Sequence, residues 1–235
     1  MEKTQYDRTK MLIGTEEFQH LRGKKVICFG IGGVGGHCTE ALARMGVGII
    51  GIVDSDTVDL TNLNRQIIAL HSTVGRRKTD VMEERIHDID PDITVEKFSF
   101  RLTEKNTDAF RIGGWDYVID AIDDVSAKVA LIEKSTELGV PVISCMGTGN
   151  KMNPSRLRLE DISKTHTCPL AKAVRKRLRE KGITKGVTVV FSDEEPARKE
   201  HGNEKYPCPS SNSFVPASAG LLLASAVVSD LIQKN

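Results

Sequence analysis

The chain has 235 residues, of which 39% are hydrophobic, and a formal net charge of +1. That is enough apolar material for one sizeable core, and too little net charge for a global field to drive the protein onto nucleic acid or a membrane. The five cysteines, Cys28, Cys38, Cys145, Cys168 and Cys208, are odd in number, scattered and without a CxxC pair, which argues against a disulfide framework and a four-cysteine zinc site and suits a reducing cytosol.

Met1 to Lys10 is charged and lacks an apolar core, so no signal peptide is predicted. Lys25 to Phe29 (KVICF) is an apolar run halted by glycines and reads as a buried strand. Helical spacing follows over His37 to Met45, with Ala41, Leu42 and Met45 on one side. Gly48 to Val53 (GIIGIV) is a second buried strand, ending at Asp54. A helix is predicted over Lys78 to Ile89 and is closed by Pro91. Strands come next at Ile93 to Phe98 and Tyr117 to Ala121, then a helix over Ser126 to Leu138. Gly139-Val140-Pro141 turns the chain into a strand at Val142 to Cys145. Strands alternating with helices at this spacing predict an α/β fold with a doubly wound, Rossmann-like, mostly parallel sheet.

After Lys151 the pattern loosens into a basic helix over Ala171 to Lys181, a strand at Thr188 to Phe191 and a polar loop over Ser192 to Ser213. Phe214 to Val228 is the longest apolar stretch, but it contains Pro216 and Gly220 and is short for a membrane span. It reads as a buried terminal helix, and membrane contact is not expected. The whole is expected to form one domain, 1–235, comprising an arm at 1–20, a substrate-side insertion at 151–213 and a C-terminal helix at 214–235.

Gly30-Ile31-Gly32-Gly33-Val34-Gly35 fits GxGxxG directly after a strand and before a helix. The first glycine permits the tight turn, the second lets backbone approach a phosphate, and the third allows close helix packing, while the helix N-terminus offers N–H groups to the anion. Asp54 closes the second strand 19 residues after Gly35, where a carboxylate accepts ribose hydroxyls. This motif does not choose between NAD and ATP. The charges downstream do. Arg65 and Lys78 can neutralise β- and γ-phosphates, and Asp123, at a strand's carboxyl end, can hold a magnesium ion bridging phosphate oxygens. Hydride transfer needs none of these three. Taken singly, the two cations read equally well as surface charge, and Asp120 and Asp123 as helix caps.

The string GIGGVGG at Gly30 to Gly36, Asp54-x-Asp56-x-Val58, Thr61-Asn62-Leu63-Asn64-Arg65-Gln66, Val74-Gly75, Lys78 and Asp120-Ala121-Ile122-Asp123 together resemble the MoeB/ThiF adenylating superfamily. The resemblance implies a homodimer that adenylates a carboxylate using ATP and magnesium. It places Asp54 on the ribose, Arg65 and Lys78 on the phosphates and Asp123 on magnesium, and adds Asp56, Asn62, Asn64, Gln66 and Asp120 to the nucleotide site. Tyr6 to Gly14 is similar to an N-terminal segment whose arginine, here Arg8, reaches the partner's ATP.

Within the superfamily the absence of CxxC pairs, together with Ala41-Leu42-Ala43-Arg44, Val81-Met82-Glu83-Glu84-Arg85-Ile86 and Asp161-Ile162-Ser163-Lys164-Thr165, resembles the tRNA threonylcarbamoyladenosine dehydratase family. The likeness is dense to Ala171 and thins over Lys185 to Ser213, leaving substrate contacts of that loop open. It implies a cytoplasmic enzyme acting on tRNA that carries threonylcarbamoyladenosine, whose carboxylate is adenylated and then closes into a ring with net loss of water. It also raises a cysteine desulfurase or sulfur-acceptor system as a partner, and no zinc. No enzyme nucleophile is required, and neither Cys168 nor Cys208 is assigned a role. Lys172, Arg175, Lys176, Arg177, Arg179, Lys181 and Lys185 form a basic stripe, with Leu170, Val174 and Leu178 docking the helix. It reads either as a phosphate-binding surface or as a solvated face. The rival readings are an adenylator of a ubiquitin-like sulfur carrier, an NAD-dependent dehydrogenase and a non-catalytic nucleotide-binding scaffold.

Overall fold

Short runs of β-branched and aliphatic residues with no polar alternation become strands buried on both faces. In the computed structural model, which describes residues 3–197 and 209–233, β1 (Lys25–Phe29), β2 (Ile49–Val53), β3 (Thr94–Phe98), β4 (Tyr117–Asp120) and β5 (Val142–Cys145) pair in parallel. β6 (Leu157–Asp161) and β7 (Thr188–Ser192) complete a seven-stranded sheet of order β3-β2-β1-β4-β5-β7-β6. Only β6 runs antiparallel, and it is the one strand among them that the sequence pattern does not predict. Its residues LRLED sit at the sheet edge half in solvent and carry no apolar run.

The register sets Phe29 beside both Val53 and Asp120, so the ends of β1, β2 and β4 lie level. The chain departs from β1 toward β2 on one side, while β4 lies on the other. The crevice above this reversal is where open α/β sheets bind ligands.

Helices α3 (Gly35–Met45), α4 (Lys78–Ile89), α5 (Val125–Glu137), α6 (Pro169–Glu180) and α7 (Phe214–Gln233) cover the sheet. Val215, Ala219, Leu223 and Val227 of α7 recur every fourth residue and are fully buried, the last three in one core with Cys38 and Leu42 of α3 and Val26 and Ile50 of the sheet. α7 is long and apolar enough to cross a membrane, but here this face is core. A second core packs Val174 and Leu178 of α6 on Val189 and Phe191, and a third gathers Phe29, Phe110, Trp115 and Leu131.

The segment predicted as an N-terminal arm forms two helices, α1 (Asp7–Ile13) and α2 (Thr15–Arg22). α1 buries nothing, and its Met11 and Leu12 are 86% and 81% exposed. Tyr6, directly before it, is buried. Its phenol donates to Asp90 Oδ2 at 2.6 Å, a carboxylate that also takes Arg22 at 2.6 Å. Burial and the neighbouring Asp90 push the Tyr6 phenol well above its ordinary pKa, so it stays a donor.

Candidate active site

The turn after β1 is built by steric necessity. Gly30 has φ +88°, and a Cβ there would stand 2.8 Å from the Ala121 carbonyl. A Cβ on Gly35 would sit 1.8 Å from the Gly30 carbonyl, so only glycine lets α3 start this close to the strand. At Gly32 the nearest atom would be Gln66 Nε2 at 3.8 Å, which leaves room for a ligand against the backbone. Above the turn opens a cavity of about 530 Å³, a size suited to a nucleotide.

Asp54, at the end of β2, is held from two sides. Its Oδ2 accepts the Ile31 N–H at 2.7 Å and its Oδ1 the Asp56 N–H at 2.9 Å. Burial raises its pKa above the ordinary carboxylate value, and Lys78 and the two N–H groups work against that rise. Lys78, at the start of α4, is buried, with Nζ 2.8 Å from Asp56 and 3.9 Å from Asp54. Arg65 lines the cavity and donates to the Thr61 carbonyl at 2.9 Å and to Asn64 Oδ1 at 2.8 Å. Asn62, beside it, accepts the Asp59 N–H at 3.1 Å. Gln66 is buried on the wall, and its Oε1 has no hydrogen-bond partner among the described residues. Asp123 is exposed at the mouth and forms no ion pair or hydrogen bond among the described residues. Gly30, Gly32, Gly33, Asp54, Asp56, Asn62, Arg65, Gln66, Lys78 and Asp123 thus meet in one cavity.

Four expected site residues stand elsewhere. Gly35 serves helix packing behind the wall. Asp120 is fully buried, with Oδ2 at 2.8 Å from Lys128 Nζ and 2.6 Å from Ser144 Oγ, and Oδ1 on the Ile122 N–H. It neutralises a lysine that is itself 0% exposed, and is not free to meet phosphate. Asn64 does not line the cavity but braces two residues that do, its amide donating to the Ser211 carbonyl at 3.0 Å and its Oδ1 accepting from Arg65. Arg8 lies on the exposed α1 and does not line this chain's own cavity. The helix cap predicted as the alternative for Asp120 and Asp123 belongs to Asp124, which accepts the Ala127 N–H.

The basic stripe divides. Val174 and Leu178 dock α6 as expected. Arg175 turns inward to the Thr165 carbonyl at 2.7 Å and to its hydroxyl, because the helix packs that side against the Ile162–Thr165 turn. Arg177 donates to Ser126 Oγ at 2.5 Å and Lys181 pairs with Glu133. Lys172, Lys176 and Arg179 stay exposed, their side chains without partners among the described residues. Cys168 is buried at the start of α6 and Cys208 lies outside the described residues. Burial pushes the Cys145 thiol up to about 12, so it does not ionise near neutrality.

Sequence reading missed the far end of the cavity, where Phe29, Val53, Phe100, Leu102 and Ile122 form an apolar slot with Arg101 at its rim. Phe100 follows β3, is stacked on Phe110 at 5.0 Å, and remains 42% exposed. An exposed aromatic after a strand was the available signal. Thr148, Ser211 and Pro216 line the opposite side and carry no motif.

A glycine turn closing on a helix, a strand-end carboxylate, a buried lysine and a half-buried arginine define an α/β nucleotide-binding protein. The ThiF family model matches residues 6–235. The tRNA threonylcarbamoyladenosine dehydratase of Bacillus subtilis (strain 168) is 47% identical over 97% of this chain and 95% of its own length. The crystal structure of the E. coli tRNA N6-threonylcarbamoyladenosine dehydratase TcdA in complex with ATP aligns with a TM-score of 0.91 at 35% identity, covering 98% of this chain and 94% of that one. Its complex with AMP aligns at 0.90 and 35%, covering 97% and 93%. The chain belongs to the ThiF family, among the tRNA threonylcarbamoyladenosine dehydratases.

Proposed function

We propose that this chain uses ATP to dehydrate N6-threonylcarbamoyladenosine in tRNA, adenylating its carboxylate and letting the modification close into a ring. The observation that carries the reading is the meeting of Lys78, Arg65 and Asp123 at one glycine turn, three charges that suit a triphosphate. The names of the relatives, one of them bound to ATP, support it. Asp54 accepts the ribose hydroxyls, the unpartnered Gln66 Oε1 accepts a donor from the nucleotide, and the Phe100 slot takes the base. Asp123, a hard oxygen donor without a competing partner, fits a magnesium ion, which would offset the charge of the phosphates.

The substrate carboxylate attacks the α-phosphorus of ATP and pyrophosphate leaves. A nucleophile of the same modification then attacks the activated acyl carbon, losing its proton as AMP departs carrying the former carboxylate oxygen. Lys78 and Arg65 stabilise the charge that develops on pyrophosphate, and positioning supplies much of the rest. No enzyme nucleophile is needed, in keeping with the buried Cys145 and Cys168.

The active form in this reading is a single-domain homodimer in which Arg8 of one copy completes the other's site. The exposed Met11 and Leu12 of α1 are available to such a neighbour. Lys172, Lys176 and Arg179 contact tRNA phosphates, and the four free thiols among the described residues suit a cytoplasmic setting. A sulfur-handling partner stays part of the proposal by family resemblance alone. The test is nucleoside mass analysis after incubation with ATP, magnesium and modified tRNA, expected to show loss of one water from threonylcarbamoyladenosine. No dehydrated nucleoside, with brisk pyrophosphate exchange on a ubiquitin-like carrier instead, would sink it.

A further inference from the structure

Sheet order divides the cavity. Phe100 lines the cavity after β3, the glycine turn after β1 and Thr148 after β5, so on the reading above the third part, toward β5, is left for the acyl group. Thr148 and Ser211 line that third part. Neither belongs to a strand or helix. They lie on two irregular segments, 147–151 after β5 and 209–213 before α7, whose mutual placement depends on hydrogen bonds.

Most of those bonds meet at Asn150. Its N–H donates to the Ser210 carbonyl at 2.8 Å, and its Oδ1 accepts both the Ser210 N–H at 2.8 Å and the Ser210 hydroxyl at 2.7 Å. Its carbonyl accepts the Ala197 N–H at 2.7 Å. The residue sits at φ +58°, left-handed backbone that asparagine tolerates better than most side chains. The two segments press close here, since a Cβ on Gly149 would stand 2.6 Å from Pro209. Asn212 adds a bond from its amide to the Lys151 carbonyl at 2.7 Å, and Asn64 holds the Ser211 carbonyl from the nucleotide side. Asn150 therefore ties Thr148, two residues before it, to Ser211, one residue after its partner.

The activated acyl group has two fates. Attack by the substrate's own nucleophile expels AMP and closes the ring. Attack by water also expels AMP but returns the carboxylate, so that ATP and water become AMP and pyrophosphate with nothing gained. Which fate wins depends on whether a wall holds the acyl group in reach of its nucleophile and keeps water out.

We propose that Asn150 is a positioning residue for ring closure: it fixes Thr148 and Ser211 as the wall facing the adenylated carboxylate, so that the adenylate cyclises instead of hydrolysing. This rests on the dehydratase reading above. AMP and dehydrated nucleoside are measured in the same reaction, and their ratio is the readout. Wild type gives a ratio near one. Asn150→Ala and Asn150→Gly, which both remove the side-chain acceptor while glycine keeps the left-handed backbone free of strain, raise the ratio about threefold or more, the scale of one lost hydrogen bond. Asn150→Asp keeps the acceptor and holds the ratio near one. ATP affinity stays within about twofold in all three, because Asn150 is not on the nucleotide wall. A ratio near one in the glycine variant, with its product rate lowered or not, would overturn the positioning role. Wild type that makes AMP from modified tRNA without any dehydrated nucleoside would instead overturn the dehydratase reading beneath it.

Discussion

Replacing Lys78 with methionine keeps an unbranched side chain of similar length in a buried slot and removes only the charge. In the native protein Nζ lies 2.8 Å from Asp56 and 3.9 Å from Asp54, at the lip of the nucleotide cavity. Loss of one charge-assisted contact to phosphate costs about 1.5–3 kcal/mol, or roughly 10- to 150-fold in ATP affinity. The upper end is expected, because the variant also leaves two carboxylates facing the triphosphate with no cation between them. The pH dependence gives a second, independent reading. Asp54 must be ionised to accept ribose hydroxyls, and burial has raised its pKa, so affinity is full above that raised value and falls as pH drops through it. Lys78 holds the rise in check, so in K78M the fall begins at higher pH. Titration calorimetry with ATP and magnesium between about pH 3.5 and 8, a span that includes the usual carboxylate and histidine values, measures both effects. Lys97→Met, which breaks surface pairs with Asp80 and Glu83, is the control and shifts ATP affinity little. An ATP affinity in K78M within twofold of wild type, or pH profiles that coincide, would refute the argument.

Asp120→Asn strands the buried Lys128 ammonium and is expected to cost about 3–5 kcal/mol in urea unfolding, a stability loss that a role on the nucleotide alone would not produce. Reversing Lys172, Lys176 and Arg179 to glutamate should raise the KM for tRNA and flatten its dependence on salt while leaving ATP affinity unchanged. Arg175 belongs outside that set, since its tie to Thr165 makes its loss a folding defect. Mixing inactive Arg8→Ala with inactive Asp123→Ala under verified subunit exchange should restore activity, each mixed dimer holding one intact site. An absence of recovery places Arg8 in its own chain's site or outside catalysis.

Most of the parallel strands were legible almost to the residue because each is an apolar run bounded by glycine, proline or a charge, the exception being β3, TVEKF, whose Glu96 and Lys97 reflect its half-exposed place at the sheet edge. KVICF coincides with β1, and the predicted strand at Val142 to Cys145 coincides with β5. The edge strand β6 was not, for an edge needs only one partner and one sheltered face, and LRLED carries little signal of either. α6 begins at Pro169, two residues before the predicted start, although proline in the first turn is itself a start signal. In the site, glycines and strand-end carboxylates could be placed by spacing alone. Whether a polar residue faces the cavity depends on partners far along the chain. Asp120 looks inward because Lys128 lies one helical turn into α5, and Arg175 because a turn ten residues upstream offers it two oxygens. Thr148 was invisible for the same reason, being brought to the cavity by the sheet order and by no local motif, and Phe100 left only a lone aromatic after a strand.

The burial of Tyr6 bears on what α1 can do. Seven residues are too few for a helix to persist in water by itself, and this one has no buried side chain to hold it down. Its order is borrowed from the residue before it, through a phenol locked to Asp90 and packed on Phe18 at 4.9 Å. Arg8 stands two positions from that anchor. On the reading that Arg8 serves a neighbouring copy, the entropy of ordering it has been given up during folding of the single chain and is not charged against association. On that reading the arm is preorganised, by a residue that is itself buried and lies outside the nucleotide cavity.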